Sequence, residues 1–539
     1  MKKIRPSLNS RTPLFRSLRE AIQKAAWINR HPNVPIQEAT DSKKTWNRRD
    51  FLFSSIVGAS TLAYGISAQK GMAWAETHPS SHHGHAPKIV IVGAGIAGLN
   101  AAYQLKKQGI HSEIYEASNR AGGRIYTVEN KLAPGLVSEM GGEFIDTQHE
   151  DMLGLAEEFQ LPLIDVLAPE EKEFKTGYFF DGISYTQEQV IEAFRPLVSR
   201  IQEDIDSLGE IVDYQNQDDQ SRELDNLPLS AYWDRIGASG WIRKLLDVAY
   251  VTEYGLDSNE QSTINFLFLI STDISNGEFA IFGDSDERFK IEGGNQRITD
   301  ELAKRVQKSL HLQHRLESIQ KNHHGYKLTF EKKNASSIDV QADFVILAIP
   351  FTLLRNVNLQ IDLPPVKKKA IQELGYGTNA KVMVGLKNRI WRAQGYSGEV
   401  FTDQSYQLAW DNSRLQPGNA GGITFFLGGK NGVSIKENML KKLASQYTRE
   451  LNLIFPGVQE EFNGKTTLFH WPTYPYTMGS YACYRPGQWT TIAGAEILPV
   501  ENIFFAGEHT SYDFQGFMNG AAETGRRAAE EILAVITRR

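Results

Sequence analysis

A glycine-rich turn is the feature that most constrains what this chain folds into. Gly93, Gly95 and Gly98 have the spacing G-x-G-x-x-G; the β-branched run Lys88–Val92 precedes them, and Ile96–Gln108 has the apolar spacing of a helix. Glycines at these positions allow a tight turn and bring the backbone close to a pyrophosphate at the helix N-terminus. The pattern therefore predicts a strand, turn and helix that bind a dinucleotide.

The residues after this turn extend the predicted site. Ile110–Tyr115 predicts the next strand, and Glu116 stands about 20 residues beyond the glycines, where a carboxylate accepts the ribose hydroxyls. Asn119–Arg124 then supplies paired glycines and two guanidiniums that offset pyrophosphate charge. Gly141 and Gly142 indicate a second close approach of backbone to a flat ligand.

The dinucleotide pattern alternates along the chain with stretches of different character. A buried strand is predicted at 343–348 and another at 503–506, with Gly507 and Glu508 at its end, and a final helix at 517–536. We therefore expect an α/β (α+β) fold in which a Rossmann-like domain is assembled from residues 87–150, 281–355 and 465–539. The inserted substrate domain, mixed sheet and helices, would comprise residues 151–280 and 356–464.

With these motifs together, the chain resembles the flavin-containing amine oxidases, the family of monoamine oxidase, polyamine oxidase and L-amino acid oxidase. The resemblance spans about Pro87 to the C-terminus and implies FAD as cofactor, with no metal. The residues expected to bind FAD are Gly93, Gly95, Ile96, Ala97, Gly98, Glu116, Ala117, Arg120, Gly123, Arg124, Gly141, Gly142, Glu143, Glu508, Phe517 and Met518.

The resemblance also implies four catalytic residues. Lys381 would match the lysine that holds a water against the reactive flavin nitrogen, and Trp471 the tryptophan beside the flavin. Tyr481 and Phe517 would match two rings that flank the substrate amine. Ser480 stands where some monoamine oxidases carry the cysteine that attaches FAD, so non-covalent FAD is expected.

The family's chemistry is oxidation of an amine to an imine, followed by hydrolysis to a carbonyl product and ammonia, with oxygen as acceptor and peroxide as product. L-amino acid oxidases often carry Met-Arg after the segment equivalent to Glu139-Met140-Gly141, and that arginine binds the carboxylate; this chain has Gly142-Glu143-Phe144-Ile145 instead. A primary amine is therefore the expected substrate. An L-amino acid, basic ones included, stays the alternative, and a non-catalytic envelope flavoprotein is a further one.

Charged residues bear on this choice. Glu143 would favour a cationic substrate group if it faced the pocket, and Arg288 could pair with a substrate carboxylate. We expect Asp284, Asp286, Glu287 and Arg288 to form a solvated turn. The net charge of −6 gives no indication of nucleic-acid binding, and the sequence does not indicate an oligomeric state.

The first 75 residues have the pattern of a long leader. Arg48 and Arg49 precede the apolar run 51–68, and Ala73-Trp74-Ala75 supplies a cleavage pattern, so the twin-arginine translocation machinery is an expected partner. Residues 76–86 are read as a His-rich linker. The mature protein would then reach a periplasmic or thylakoid-lumen-like space, membrane-associated if the leader is uncleaved.

Overall fold

The structure is a computed structural model that describes residues 86–171, 173–209, 211–269, 286–333 and 335–537. The predicted twin-arginine leader, nearly all of the His-rich linker and Asp284 lie outside these residues. Of the helices that are described, none combines the length and hydropathy that a bilayer crossing requires.

The strands, in chain order, are β1 Ile89–Val92, β2 Ser112–Glu116, β3 Thr127–Glu129, β4 Val137–Glu139, β5 Leu163–Asp165, β6 Lys175–Phe180, β7 Ile183–Tyr185, β8 Phe289–Ile291, β9 Leu310–Leu312, β10 His314–Asn322, β11 Gly325–Lys332, β12 Ile338–Ala342, β13 Phe344–Leu347, β14 Asn358–Gln360, β15 Ala380–Leu386, β16 Tyr396–Thr402, β17 Leu408–Asp411, β18 Gly421–Leu427, β19 Phe462–His470 and β20 Ile503–Phe505.

The α-helices are α1 Ile96–Lys107, α2 Glu150–Glu158, α3 Gln187–Ser207, α4 Asp219–Asn226, α5 Leu229–Arg235, α6 Gly240–Tyr254, α7 Thr263–Leu269, α8 Gln296–Arg305, α9 Phe351–Leu354, α10 Pro365–Glu373, α11 Ile390–Ala393, α12 Gly429–Ser434, α13 Leu440–Leu451, α14 Val458–Glu461 and α15 Met518–Thr537.

A parallel sheet of order β20-β13-β1-β2-β9 is the centre of the nucleotide-binding part. Its central strand β1 is wholly buried, as expected for a parallel strand covered on both faces. Helix α15 packs on α1, where Asn100 donates a hydrogen bond to the Ala522 carbonyl at 2.7 Å. Segments far apart in sequence thus meet at the carboxyl ends of neighbouring strands, where open α/β sheets bind ligands.

A seven-stranded, largely antiparallel sheet of order β19-β15-β18-β17-β16-β6-β7 forms the second main layer. All seven residues of β15 are buried, and Lys381 is the second of them. A four-stranded sheet, β12-β11-β10-β14, and two antiparallel two-stranded sheets, β3-β4 and β5-β8, complete the strands described. The fold is therefore α/β with a mixed-sheet and helical part, as predicted from the sequence. The domain boundaries stay a prediction.

Candidate active site

One cleft runs from the glycine turn after β1 to the face of the seven-stranded sheet, and its empty volume of about 1490 Å³ includes open solvent at its mouth. The predicted site residues that line it are Gly93, Gly95, Ile96, Ala97, Glu116, Arg120, Gly123, Arg124, Gly141, Gly142, Glu143, Lys381, Trp471, Tyr481, Glu508, Phe517 and Met518. Gly98 and Ala117 are not among the lining residues. The structure thus brings these residues together, while the role of each stays a prediction.

The glycine turn has the geometry that a pyrophosphate requires. Gly93 has φ +101°, and a Cβ there would lie 2.6 Å from the Ala348 carbonyl oxygen. A Cβ at Gly98 would lie 2.0 Å from the Gly93 carbonyl oxygen, which only glycine avoids. Helix α1 begins at Ile96, and Ile96 and Ala97 of its first turn line the cleft, so the residues present fit an anionic dinucleotide.

Glu116 ends β2 beside this turn. Its Oε2 accepts from the Ala94 N–H and its Oε1 from the Ser118 N–H, both at 2.8 Å. Each carboxylate oxygen has a further lone pair, so Glu116 fixes the loop and still has capacity for ribose hydroxyls.

The two predicted arginines are held by protein groups. The Arg124 guanidinium donates to Glu508 Oε1 and to the Ser480 carbonyl, each at 2.7 Å. Arg120 donates to main-chain carbonyls, Ala121 at 3.1 Å among them. The Arg124–Glu508 ion pair thus ties the second predicted flavin segment to the first, and Glu508 also accepts from the Gly516 N–H at 2.9 Å.

Gly141 and Gly142 place bare backbone at the middle of the cleft. A Cβ at Gly141 would lie 1.7 Å from the Arg124 carbonyl oxygen, and one at Gly142 would lie 2.7 Å from Met518 Sδ. Trp471 donates from Nε1 to the Met140 carbonyl at 3.1 Å, which anchors its ring next to these glycines. These close contacts within the protein account for glycine at both positions, and the flat-ligand contact stays a prediction.

Lys381 is the centre of a buried charge cluster. Its Nζ donates to the carbonyls of Glu139 and Gly141, both at 2.9 Å, and to Glu143 Oε2 at 3.2 Å. Glu143 Oε1 accepts from Lys290 Nζ at 2.9 Å. Two lysines therefore neutralise the Glu143 charge, so the attraction of this carboxylate for a cationic substrate is largely compensated within the protein.

Burial shifts the pKa values of the ionisable groups in this cluster. Burial lowers the pKa of Lys381, and Glu143 opposes that shift. Burial alone would raise the pKa of Glu143, but Lys290 and Lys381 outweigh it and the net pKa is lowered. Burial raises the pKa of Glu139 to about 7, although Asn295 and Lys290 oppose the shift. Perturbed groups gathered at a cleft are typical of functional sites.

Aromatic side chains also line the cleft. Tyr481 is half-buried and donates from Oη to the Thr252 carbonyl at 3.2 Å. Phe517 is buried, and its ring lies 5.0 Å from the His149 ring. Together with Trp471, these rings give the cleft an aromatic lining.

Ser480 and Cys483 differ in their relation to the cleft. Ser480 lines it and donates from Oγ to Asn379 Oδ1 at 2.6 Å. Cys483 is fully buried, is not a lining residue, and contacts Asn265 Nδ2 at 3.6 Å.

The prediction of a solvated turn at 284–288 is wrong for two of its residues. Glu287 is only 2% exposed and lines the cleft. Arg288 is half-buried and pairs with Asp165, with N–O distances of 2.7–3.1 Å, so it is engaged elsewhere. The prediction failed because local charge density says nothing about which side chains a tertiary contact covers.

Sequence reasoning also missed the lining residues Ser118, Phe144, Asn379, Trp410, Phe426, Tyr474, Tyr476 and Thr477. Phe426 and Lys381 are direct partners in the pairing of β18 with β15. Strand alternation could have placed Phe426 on one face, but the pairing that sets that face beside Lys381 has no local signal.

Comparison with known proteins adds to this geometry. The family model described as "Flavin containing amine oxidoreductase" matches residues 96–533. The chain is 27% identical over 483 residues to human amine oxidase [flavin-containing] B, covering 83% of this chain and 86% of that one. It is 24% identical over 468 residues to the rainbow trout (Oncorhynchus mykiss) amine oxidase [flavin-containing], covering 83% and 85%.

Two solved structures share the fold. Cyclohexylamine oxidase from Brevibacterium oxydans superposes with a TM-score of 0.72 at 22% identity, covering 84% of this chain and 100% of that one. Putrescine oxidase bound to putrescine gives 0.68 at 20%, covering 83% and 99%. On the match to the family model, the chain belongs to the flavin-containing amine oxidoreductases and is an oxidoreductase with a flavin cofactor.

Proposed function

We propose that the chain oxidises a primary amine to an imine, which water hydrolyses to an aldehyde and ammonia, with oxygen reduced to hydrogen peroxide. The observation that carries this choice of substrate is the state of the arginines. Of the described residues that line the cleft, the arginines are Arg120 and Arg124, and both donate to protein oxygens. With Arg288 also paired to Asp165, each of these three arginines already has a protein partner, which favours an amine over an amino-acid carboxylate as the substrate.

When bound, FAD supplies the acceptor for the hydride equivalent that leaves the carbon bearing the amine. The chain's own groups hold and orient the reactants. Tyr481 and Phe517 flank the amine, and the apolar wall favours its neutral form over a desolvated ammonium. For Lys381 to hold a water at the cleft, one of its three Nζ donors, which lie on Glu139 O, Gly141 O and Glu143 Oε2, turns to that water when FAD is bound.

FAD is held by contacts alone under this proposal. Ser480 has a hydroxyl in place of a thiol, so it cannot form a thioether to FAD, and this hydroxyl donates a hydrogen bond to Asn379. Cys483 is buried against Asn265, away from the lining residues. The cofactor is retained instead by the glycine turn, by Glu116 and by the segment at Glu508.

A substrate panel tests the reaction. Purified holoenzyme is given primary amines and L-amino acids in air, and ammonia and peroxide are both measured. We expect amines to yield ammonia and peroxide in equal amounts, and L-amino acids to yield neither. Turnover of amino acids in preference to amines would favour the alternative, an L-amino acid oxidase. Peroxide without ammonia would contradict both.

Export by the twin-arginine route is part of the proposal. It is supported by the order of Arg48, Arg49, the apolar run and Ala73-Trp74-Ala75, and by the need to insert FAD into a folded chain before transport. The mature N-terminus is expected after Ala75. Mass measurement of the exported protein, compared with an Arg48→Lys, Arg49→Lys variant that should stay unprocessed, tests this expectation.

A further inference from the structure

The hydrogen bonds around Lys381 determine its charge. Among the described residues, its Nζ has three acceptors within hydrogen-bond distance: the carbonyl oxygens of Glu139 and Gly141, and Oε2 of Glu143. A neutral lysine amine has two N–H groups, whereas the ammonium form has three. Only the ammonium ion can donate to all three acceptors at once, so this geometry requires the third proton on Nζ.

Glu143 joins Lys381 to a second buried lysine. Its Oε2 lies 3.2 Å from Lys381 Nζ and its Oε1 lies 2.9 Å from Lys290 Nζ, and none of the three side chains is more than 8% exposed. Lys290 also donates to the Asn412 carbonyl at 3.3 Å, which holds it independently of Glu143. A buried carboxylate needs a charged partner, and Lys290 supplies one that does not depend on Lys381.

The charged groups that face the Lys381 ammonium act on it with opposite signs. They are Lys290 on β8, Glu139 at the end of β4, and Glu143 in the turn that follows. Burial lowers the pKa of Lys381; Glu143 and then Glu139 oppose that shift, and Lys290 adds to it. Two aromatic faces of the same sheet also favour a cation at Nζ, Trp410 on β17 at 5.2 Å and Phe426 on β18 at 6.0 Å.

The contact with Glu143 is also the one that Lys381 can exchange for a water. It measures 3.2 Å, against 2.9 Å to each carbonyl oxygen. If Nζ turns this donor to a water, Glu143 keeps Lys290 as a partner, whereas either carbonyl would lose its side-chain donor. The attraction between the two charges persists at such short range after the hydrogen bond is exchanged.

We propose that Glu143 is a positioning residue for Lys381: it keeps the third proton on Nζ and keeps Nζ at the cleft, while Lys290 keeps Glu143 itself paired. This inference rests on the proposed amine oxidation for its kinetic test. The ammonium form of Lys381 is then the one that supports turnover, because a neutral amine that serves both carbonyls has no N–H left for a water.

The pH dependence of turnover tests this role in the holoenzyme. With saturating butylamine, kcat is measured from about pH 7 to about pH 10.5, and its alkaline limb reports loss of the Nζ proton. Glu143→Gln keeps the shape and removes the charge, so it should move this limb to lower pH by about 1 unit or more. Lys290→Met removes a neighbouring positive charge and should move the limb to higher pH. Damage to the fold alone would not shift the two variants in opposite directions.

Glu139→Gln is the matched control. The Glu139 side chain accepts from Thr127 Oγ1 at 2.8 Å and from the Asn295 N–H at 2.7 Å rather than from a lysine. The same substitution at this carboxylate should therefore move the alkaline limb less than Glu143→Gln does. An equal shift would mean that the overall charge of the cluster matters and the Glu143 contact does not, which would overturn the positioning role.

Two other kinetic results would contradict the proposal while amine oxidation stands. One is an alkaline limb that stays in place in Glu143→Gln, and the other is a limb that moves to lower pH in both Glu143→Gln and Lys290→Met. Should Glu143→Gln not retain FAD, Lys290→Met is decisive by itself, and a limb that moves to lower pH or does not move would overturn the role.

If no amine is oxidised, the proposed function fails, and urea unfolding of the holoenzyme decides the positioning role alone. Because the pKa of folded Lys381 is lowered, the unfolded chain binds the proton more tightly, and stability rises with pH between the folded pKa and the ordinary value of 10.5. We expect this rise to begin at lower pH in Glu143→Gln than in the wild type. Coincident profiles would overturn the proposal.

Discussion

Replacing each of the two lysines that flank Glu143 with methionine separates structural support from catalysis. Lys381 and Lys290 are both buried and both pair with Glu143, but only Lys381 is among the residues that line the cleft. Methionine keeps most of the aliphatic volume and removes the cation. The two variants therefore form a matched pair.

The structure gives the size of the expected stability effects. Lys381→Met leaves the carbonyls of Glu139 and Gly141 without this donor, and each unsatisfied buried group costs about 1–3 kcal/mol. Breaking an isolated buried ion pair costs about 3–5 kcal/mol. Because Glu143 keeps Lys290 as a partner, we expect Lys381→Met to lose less stability than that cost and the cost of the two carbonyls added together. We expect about 3 kcal/mol for Lys381→Met. Lys290→Met removes the hydrogen bonds from Nζ to Glu143 and to the Asn412 carbonyl. We expect it to lower the free energy of unfolding by a similar or slightly smaller amount.

Activity should separate the variants. A positioned group that assists proton transfer contributes about 10²–10⁴-fold, so Lys381→Met should slow amine-dependent turnover by that order. Lys290→Met should slow it by about 10-fold or less. The assay is peroxide release at matched FAD loading, with thermal unfolding measured on the same samples. Equal activity losses in the two variants would refute a direct role for Lys381 and leave the cluster as structural support.

Three further outcomes follow from the geometry. Gly98→Ala should abolish FAD retention, because its Cβ would lie 2.0 Å from the Gly93 carbonyl oxygen; a normal flavin-to-protein absorbance ratio would contradict this. Acid precipitation should release all flavin into the supernatant, and a yellow pellet would instead indicate a covalent bond despite Ser480. Native stability should fall as pH rises from about 4.5 to about 7, because folded Glu139 holds its proton more tightly than unfolded Glu139. Glu139→Gln should therefore gain up to about 3 kcal/mol relative to wild type between pH 5 and 8, at 1.36 kcal/mol per pKa unit, whereas parallel pH profiles in urea unfolding would count against it.

The sequence predicted best those parts of the site whose chemistry is local. The glycine turn depends on three residues within one turn and on Glu116 at the end of the next strand, so spacing alone indicates it. Helix α1 begins at Ile96 as expected, and strand β2 ends at Glu116 as expected but begins at Ser112, two residues later than the predicted Ile110. These elements are set by backbone sterics and by apolar periodicity, both of which are visible in a short window.

The spacing of residues in the sequence could not predict contacts between distant segments. Glu143 meets Lys290 and Lys381 only because β8, β15 and the turn after β4 converge. Glu287 was assigned to solvent because its neighbours are charged, but it is buried, and its N–H donates to Asp146, which stands 141 positions earlier in the chain. In both cases the decisive partner is far away in sequence, so only the assembled fold reveals it.

Anaerobic reduction of the flavin by amines tests the central claim most directly. The oxidised holoenzyme is titrated with 1,4-diaminobutane, butylamine and an L-amino acid in the absence of oxygen, while the visible absorbance of the flavin is followed. We predict that amines bleach this absorbance and that air restores it with release of peroxide. A spectrum that no amine changes, although dithionite bleaches it fully, would contradict amine oxidation by this chain.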